Sequence, residues 1–96
     1  MSDMKWITVR HGVEDYAKWR PMFDDHRRVQ TQYGLTPRYL LRDVEDPNTI
    51  TIVFETEDVE RAKEFMASED LKETMLRAGV TGAPLVHILE GIEELA

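Results

Sequence analysis

An α+β fold, with one four-stranded antiparallel sheet and its helices on one face, is what this 96-residue sequence predicts. Three observations lead to it. Segments that alternate apolar and polar residues lie at the start, in the middle and near the end of the chain, and segments with apolar residues every three or four positions separate them. Between the two middle strands stands Glu45-Asp46-Pro47-Asn48, a turn signal too short for anything but an antiparallel hairpin. The resulting order, β-α-β-β-α-β, is the split βαβ pattern of ferredoxin-like folds.

The first strand is expected over Lys5 to His11, with Ile7, Val9 and His11 on one face and Trp6, Thr8 and Arg10 on the other, and Gly12 ending it. Asp15 then offers an N-cap, and Tyr16, Trp19, Phe23, His26, Gln30 and Tyr33 recur at helical spacing, with Met22 and Val29 on the same stripe. Because an internal proline removes a backbone donor, Pro21 predicts a short turn of helix before it and the main helix after it. Gly34 is suited to the left-handed position that closes a helix. The hairpin strands are expected over Arg38 to Val44 and Thr49 to Glu57; Ile50, Ile52 and Phe54 oppose Thr51, Val53 and Glu55, while Leu40 and Val44 oppose Tyr39 and Leu41. Asp58 caps a second helix carrying Val59, Ala62, Phe65 and Met66, and the chain restarts at Ser68, with Glu69 and Asp70 in the first turn and Leu71, Met75 and Ala78 before Gly79. Gly82-Ala83-Pro84 leads into a last strand, Leu85 to Glu90, which Gly91 would let bend. Apolar residues on both faces of the hairpin require a sheet covered on both sides, and one copy covers only one, so a second copy packed sheet to sheet is expected.

Composition excludes several function classes. Twelve Lys and Arg against nineteen Asp and Glu give a formal charge of −7, which repels nucleic acid and anionic membranes alike. The absence of Cys excludes disulfides, thiolate catalysis, iron–sulfur clusters and Cys-type zinc sites, and a reducing, cytoplasmic setting is expected. The start, Met1-Ser2-Asp3-Met4-Lys5-Trp6, has no apolar leader region, and no apolar run approaches the roughly 20 residues that span a bilayer. With no repeat or linker, residues 1–96 read as a single domain. No P-loop, Gly-x-Gly-x-x-Gly, Gly-x-Ser-x-Gly or His-Glu-x-x-His occurs, which removes support for nucleotide binding and for serine or zinc hydrolysis.

The order of elements, the run of Val9-Arg10-His11 into Asp15-Tyr16-Ala17-Lys18-Trp19, and Ser68-Glu69-Asp70-Leu71-Lys72-Glu73 through Ala78-Gly79-Val80 before the last strand together resemble the dimeric α+β-barrel superfamily. That group holds antibiotic-biosynthesis-monooxygenase-like and polyketide-cyclase-like small proteins, and the resemblance spans nearly the whole chain. It implies a homodimer with sheet face against sheet face, forming the barrel, and a pocket in each subunit between the sheet and its own helices. It further implies a small cofactor-independent enzyme, a cyclase, isomerase or monooxygenase-like protein, acting on a hydrophobic aromatic, polyketide-like or lactone-like molecule. One scaffold carries many chemistries, so a non-catalytic ligand-binding or dimerisation protein of the same fold stands beside that reading. Members that oxygenate aromatic substrates or degrade haem commonly use a strand asparagine; here the single Asn, Asn48, stands in a turn.

Among candidate residues His26 is the most informative, because an imidazole in the middle of an aromatic stripe is suited to moving a proton on a bound carbonyl compound. The period predicts that it points at the sheet beside Trp19 and Phe23 with a polar partner from a strand; the alternative is a core histidine satisfied by a carbonyl or carboxylate. Tyr39 and His87 are the further acid/base candidates, as related isomerases and cyclases use such groups. His11, Trp19, Phe23 and Arg38 are candidates for substrate binding, Arg38 through its forked guanidinium and Trp19 and Phe23 as pocket walls, against plain core or surface roles for each. The three histidines lack ligand spacing, so neither a metal nor an organic cofactor is expected.

Overall fold

Strand β1 (Lys5–Val13) runs through the interior of a four-stranded sheet in the order β2-β3-β1-β4, antiparallel to both its neighbours. The computed structural model describes residues 5–96; Met1 to Met4, read above as part of a start without a leader, lie outside them. The other strands are β2 (Leu35–Arg42), β3 (Thr49–Thr56) and β4 (Val80–Glu90). The helices are α1 (Tyr16–Asp25), α2 (Arg27–Gln32), α3 (Val59–Met66) and α4 (Glu69–Arg77).

Register decides which side chains share a face. Ile7 lies opposite Phe54 and Ile88, and Val9 opposite Ile52 and Val86, so these rows point one way. They meet Trp19 and Phe23 of α1 and Ala62 and Phe65 of α3 in the buried core, where Ile7, Ile50 and Phe54 are essentially sealed from solvent. The alternate rows point away from the helices: Trp6 with Glu55 and Leu89, Thr8 with Val53 and His87, Arg10 with Thr51 and Leu85. On that outer face Tyr39, Leu41, Leu85 and Leu89 stay 48–61% exposed. This is the apolar face that a single copy leaves open.

Several boundaries depart from expectation. β1 continues through Gly12 to Val13, which pair with Thr81 and Val80 of β4, and a Cβ on Gly12 would sit 2.5 Å from Thr81 Oγ1. β2 begins at Leu35 rather than Arg38 and ends before Val44, with an irregularity between Pro37 and Tyr39 that puts Leu35 and Leu40 opposite Thr56 and Ile52. β4 begins at Val80; Gly82-Ala83-Pro84 belong to it, at a break in register opposite His11, and Pro84 is tolerated because this is an edge strand. Residues 91–96 have no regular structure, so the strand ends at Gly91 instead of bending there.

The first helix runs straight through Pro21 and breaks at His26 instead. Pro21 is the sixth helical residue and forfeits one hydrogen bond, whereas at His26 (φ −87°, ψ 1°) the backbone leaves the α region and its N–H is shared between the carbonyls of Met22 and Phe23, at 3.2 and 3.1 Å. The caps form where their residue types predict. Asp15 accepts from the Ala17 N–H, Asp58 from the Arg61 N–H and Ser68 from the Leu71 N–H, at 3.0, 3.1 and 3.1 Å. Asn48 links turn to helix: its side-chain oxygen accepts from the Tyr16 N–H at 3.2 Å and its carbonyl from the Val13 N–H at 2.8 Å.

Gly34, at φ +78°, lets the chain reverse from α2 into β2, and a Cβ there would make only ordinary contact with Thr56 Oγ1 at 3.7 Å. The cost of Gly34→Ala is therefore a backbone cost, about 1–2 kcal/mol. Thermal unfolding should show Tm lowered by roughly 4–8 °C for each kcal/mol lost, and an unchanged Tm would refute this account of the turn.

Candidate functional site

Between the inner face of the sheet and the four helices lies a cavity of about 60 Å³. Its floor is Val9 and His11 of β1 with Ile52 and Phe54 of β3. Trp19, Met22, Phe23, His26 and Gln30 form one wall because spacings of three, four, seven and eleven residues repeat on one side of a helix, and the break at His26 preserves that alignment. Phe65 and Met66 of α3 and Leu71, Thr74 and Met75 of α4 complete it. No residue within α4 is fully buried, so this helix leaves space under it that α1 and α3 do not.

The lining is predominantly aromatic. Trp19 and Phe23 stack at 4.9 Å between centroids, His11 meets Trp19 edge-on at 5.8 Å, and His26 lies 5.7 Å from Phe65, which Tyr33 backs at 5.1 Å. Methionines 22, 66 and 75 supply flexible thioethers that can yield to a body larger than the open space.

Few polar groups interrupt this surface. His11 is buried, with Nδ1 3.3 Å from the Gly12 carbonyl oxygen, and burial pushes its pKa below the ordinary histidine value, an effect that the backbone contact only partly opposes. The imidazole is therefore neutral at physiological pH. His26 Nε2 is buried without a hydrogen-bond partner, and Asp70 Oδ2 of α4 stands 3.6 Å away, outside hydrogen-bond distance. Gln30 Oε1 is likewise buried and unpartnered. Native interiors pair nearly all such atoms, so two orphans in one cavity are a pointed departure.

The structure thus gathers His11, Trp19, Phe23 and His26, and it leaves the other three candidates elsewhere. His87 lies opposite the outward-pointing Thr8 and is exposed on the far face of the sheet. Tyr39, opposite Val53, is 61% exposed on that same face. Arg38 sits at the β2 irregularity and is engaged by Glu55. None of the three reaches the cavity, because alternation along a strand sends neighbouring residues to opposite faces and the register chose the outer one. The polar group beside His26 also comes from α4 rather than from a strand. Gln30 and Asp70 were legible only as a stripe position and a first-turn acid; the available signal was that a polar amide occupies an inward position of an apolar stripe. Among the described residues no cluster of three or more His, Asp or Glu side chains is placed to hold a metal ion, and no helix is long and apolar enough to cross a membrane.

Comparison with solved structures places the fold. The chain superposes on a Bordetella bronchiseptica protein described as a candidate antibiotic biosynthesis monooxygenase, at TM-score 0.78 and 20% identity, covering 97% of this chain and 100% of that one. SnoaB, a cofactor-independent oxygenase from Streptomyces nogalater, gives TM-score 0.75 and 16% identity, with 98% of each chain covered. A Caulobacter crescentus protein, also described as a candidate antibiotic biosynthesis monooxygenase, gives 0.72 and 15%, covering 96% of this chain and 92% of that one. No protein-family model matches the chain and no curated protein matches it by sequence, so the likeness lies in the fold.

The neutral, buried His11 makes stability depend on pH. Its folded pKa lies below its unfolded one, so the unfolded state binds the extra proton, and stability present above the unfolded value of about 6.5 is lost as pH falls below it. Tm is expected to drop between pH 7.5 and pH 5.5, and His11→Gln should flatten that slope; an equal slope in the variant would show that other groups carry the dependence.

Proposed function

We propose that this chain is a small cofactor-independent enzyme that binds a hydrophobic aromatic, polyketide-like or lactone-like molecule in the helix–sheet cavity and moves a proton on it with His26. The observation that carries this reading is that His26 lines an aromatic cavity with its Nε2 buried and without a hydrogen-bond partner. A neutral imidazole nitrogen can remove a proton from carbon beside a carbonyl and return it elsewhere on the same molecule, which is isomerisation or the first step of cyclisation. The resulting enolate is also the electron-rich species that dioxygen attacks in cofactor-free oxygenation, in keeping with the fold shared with SnoaB. Trp19, Phe23 and Phe65 would hold the ring system, and the methionines would adapt to its outline. Asp70, at 3.6 Å from Nε2, stands where a carboxylate can stabilise the imidazolium formed on proton abstraction.

We further propose that the protein works as a homodimer joined through the outer sheet face. Tyr39 and Leu41 on edge strand β2 and Leu85 and Leu89 on edge strand β4, each about half exposed or more, flank a sheet face that a second copy would cover. The formal charge of −7 does not oppose this, since repulsion between exposed charges is screened beyond about 8 Å at physiological salt. Sedimentation at micromolar concentration should give a dimer that Leu41→Glu with Leu89→Glu dissociates, and a wild-type monomer would overturn the proposal.

The catalytic reading is tested on anthrone, whose methylene protons exchange with D2O and can be followed by NMR. Wild-type protein should accelerate the exchange, and His26→Ala should lower that acceleration at least about 100-fold, the ordinary worth of a positioned base, with Tm little changed. Exchange no faster than in buffer, or equally fast with His26→Ala, would defeat it.

A further inference from the structure

Gln30 is 4% exposed, lies one intact helical turn beyond His26, with its N–H bonded to the His26 carbonyl at 3.1 Å, and lines the same cavity. Its Oε1 has no hydrogen-bond partner. Glutamine is ordinarily a surface residue, and enclosing an amide oxygen without a donor sacrifices the hydrogen bond it had with water, so folding alone gives no reason for it here. Methionine or leucine at the same position would fill the wall without that penalty.

We infer that Gln30 is a specificity-determining residue, one that selects ligands presenting a hydroxyl hydrogen, a phenol or an enol, over the same apolar body without one. The inference rests on the cavity being the ligand site proposed above. Amide oxygen accepts and cannot donate, so only a ligand with an O–H or N–H satisfies it. His26, whose Nε2 is the second unpartnered atom, lines the same cavity four residues earlier, and side chains four residues apart share a helix face. A hydroxyl has one hydrogen to give and lone pairs to accept with, so it can donate to Gln30 Oε1 while accepting from a protonated His26 Nε2. An ether serves His26 and leaves Gln30 Oε1, as it is oriented, without a donor, and a hydrocarbon serves neither. Discrimination of this kind is strong because the wrong ligand leaves the buried groups of the site unpaired, whereas an apolar wall would tell the three apart only weakly. The same placement sets a hydroxyl, or the enol form of a ketone, beside the imidazole.

The experiment compares 1-naphthol, 1-methoxynaphthalene and naphthalene by isothermal calorimetry against wild type and Gln30→Met. Wild type should bind 1-naphthol about tenfold more tightly than the other two, the worth of one hydrogen bond. Gln30→Met should erase the preference by weakening naphthol and not naphthalene, and should raise the Tm of the free protein by about 4 °C or more, because an orphaned group is gone. A lowered Tm with all three ligands weakened alike would make Gln30 structural and overturn the inference, as would a preference that survives the substitution. The wild-type comparison needs no variant to fold: equal affinities for the three would overturn the role of Gln30 while leaving the cavity a ligand site. Failure of all three to bind would overturn the cavity reading and this inference with it.

Discussion

The pairing of β1 with both β3 and β4 is the constraint on which the rest of the molecule depends. Because side chains alternate along a strand, the register that sets Ile7 opposite Phe54 and Ile88 also fixes Val9 and His11 inward and Trp6, Thr8 and Arg10 outward. A slip of one residue would bury Arg10 in place of the aliphatic row and carry His11 out of the cavity. Gly12 permits the arrangement to continue past His11, since it pairs with Thr81 of β4, whose side chain any Cβ there would meet. One central strand therefore supplies the core, the floor of the cavity and the orientation of the outer face together.

Above that floor the two helical halves pack unequally, and the inequality makes the cavity. Trp19, Phe23, Ala62 and Phe65 are buried against the sheet, whereas α4 offers only half-buried Leu71, Thr74 and Met75. Dense packing would have closed the space and paired or expelled His26 and Gln30. What remains is an apolar, ring-lined volume with a few polar atoms exposed to it, the composition of a small-molecule site. Its limited free volume places the burden of adaptation on the thioethers of Met22, Met66 and Met75 and on the loosely seated α4.

The sheet separates this cavity from a second surface of different character. On the outer face the apolar residues are interrupted by paired charges: Arg10 is held by both oxygens of Asp43 at 2.9 Å, and Arg38 by Glu55. Asp43 also holds the Arg10 guanidinium more firmly protonated than usual, through hydrogen bonding first and charge second. Neutralised pairs of this kind are compatible with burial against another surface in a way that lone arginines are not. The proposed chemistry and the proposed self-association thus occupy opposite faces of the same strands and place no competing demands on any side chain.

Local pattern was sufficient for the elements and for the helical wall of the site. The caps at Asp15, Asp58 and Ser68 are matters of residue type, and the stripe from Trp19 through Phe23 and His26 to Gln30 is a matter of spacing, so both could be read along the chain. Which face each strand turned to the helices was not local. Tyr39, His87 and Arg38 lie away from the cavity, because alternation says which residues share a face and only pairing across the sheet says which face meets the helices. The same holds for the passage of α1 through Pro21 and its break at His26, and for the approach of Asp70 to His26 from a helix more than forty residues away. Propensity and period act within one element; register, irregular pairing and the orphaned atoms of the cavity exist only once the elements have packed.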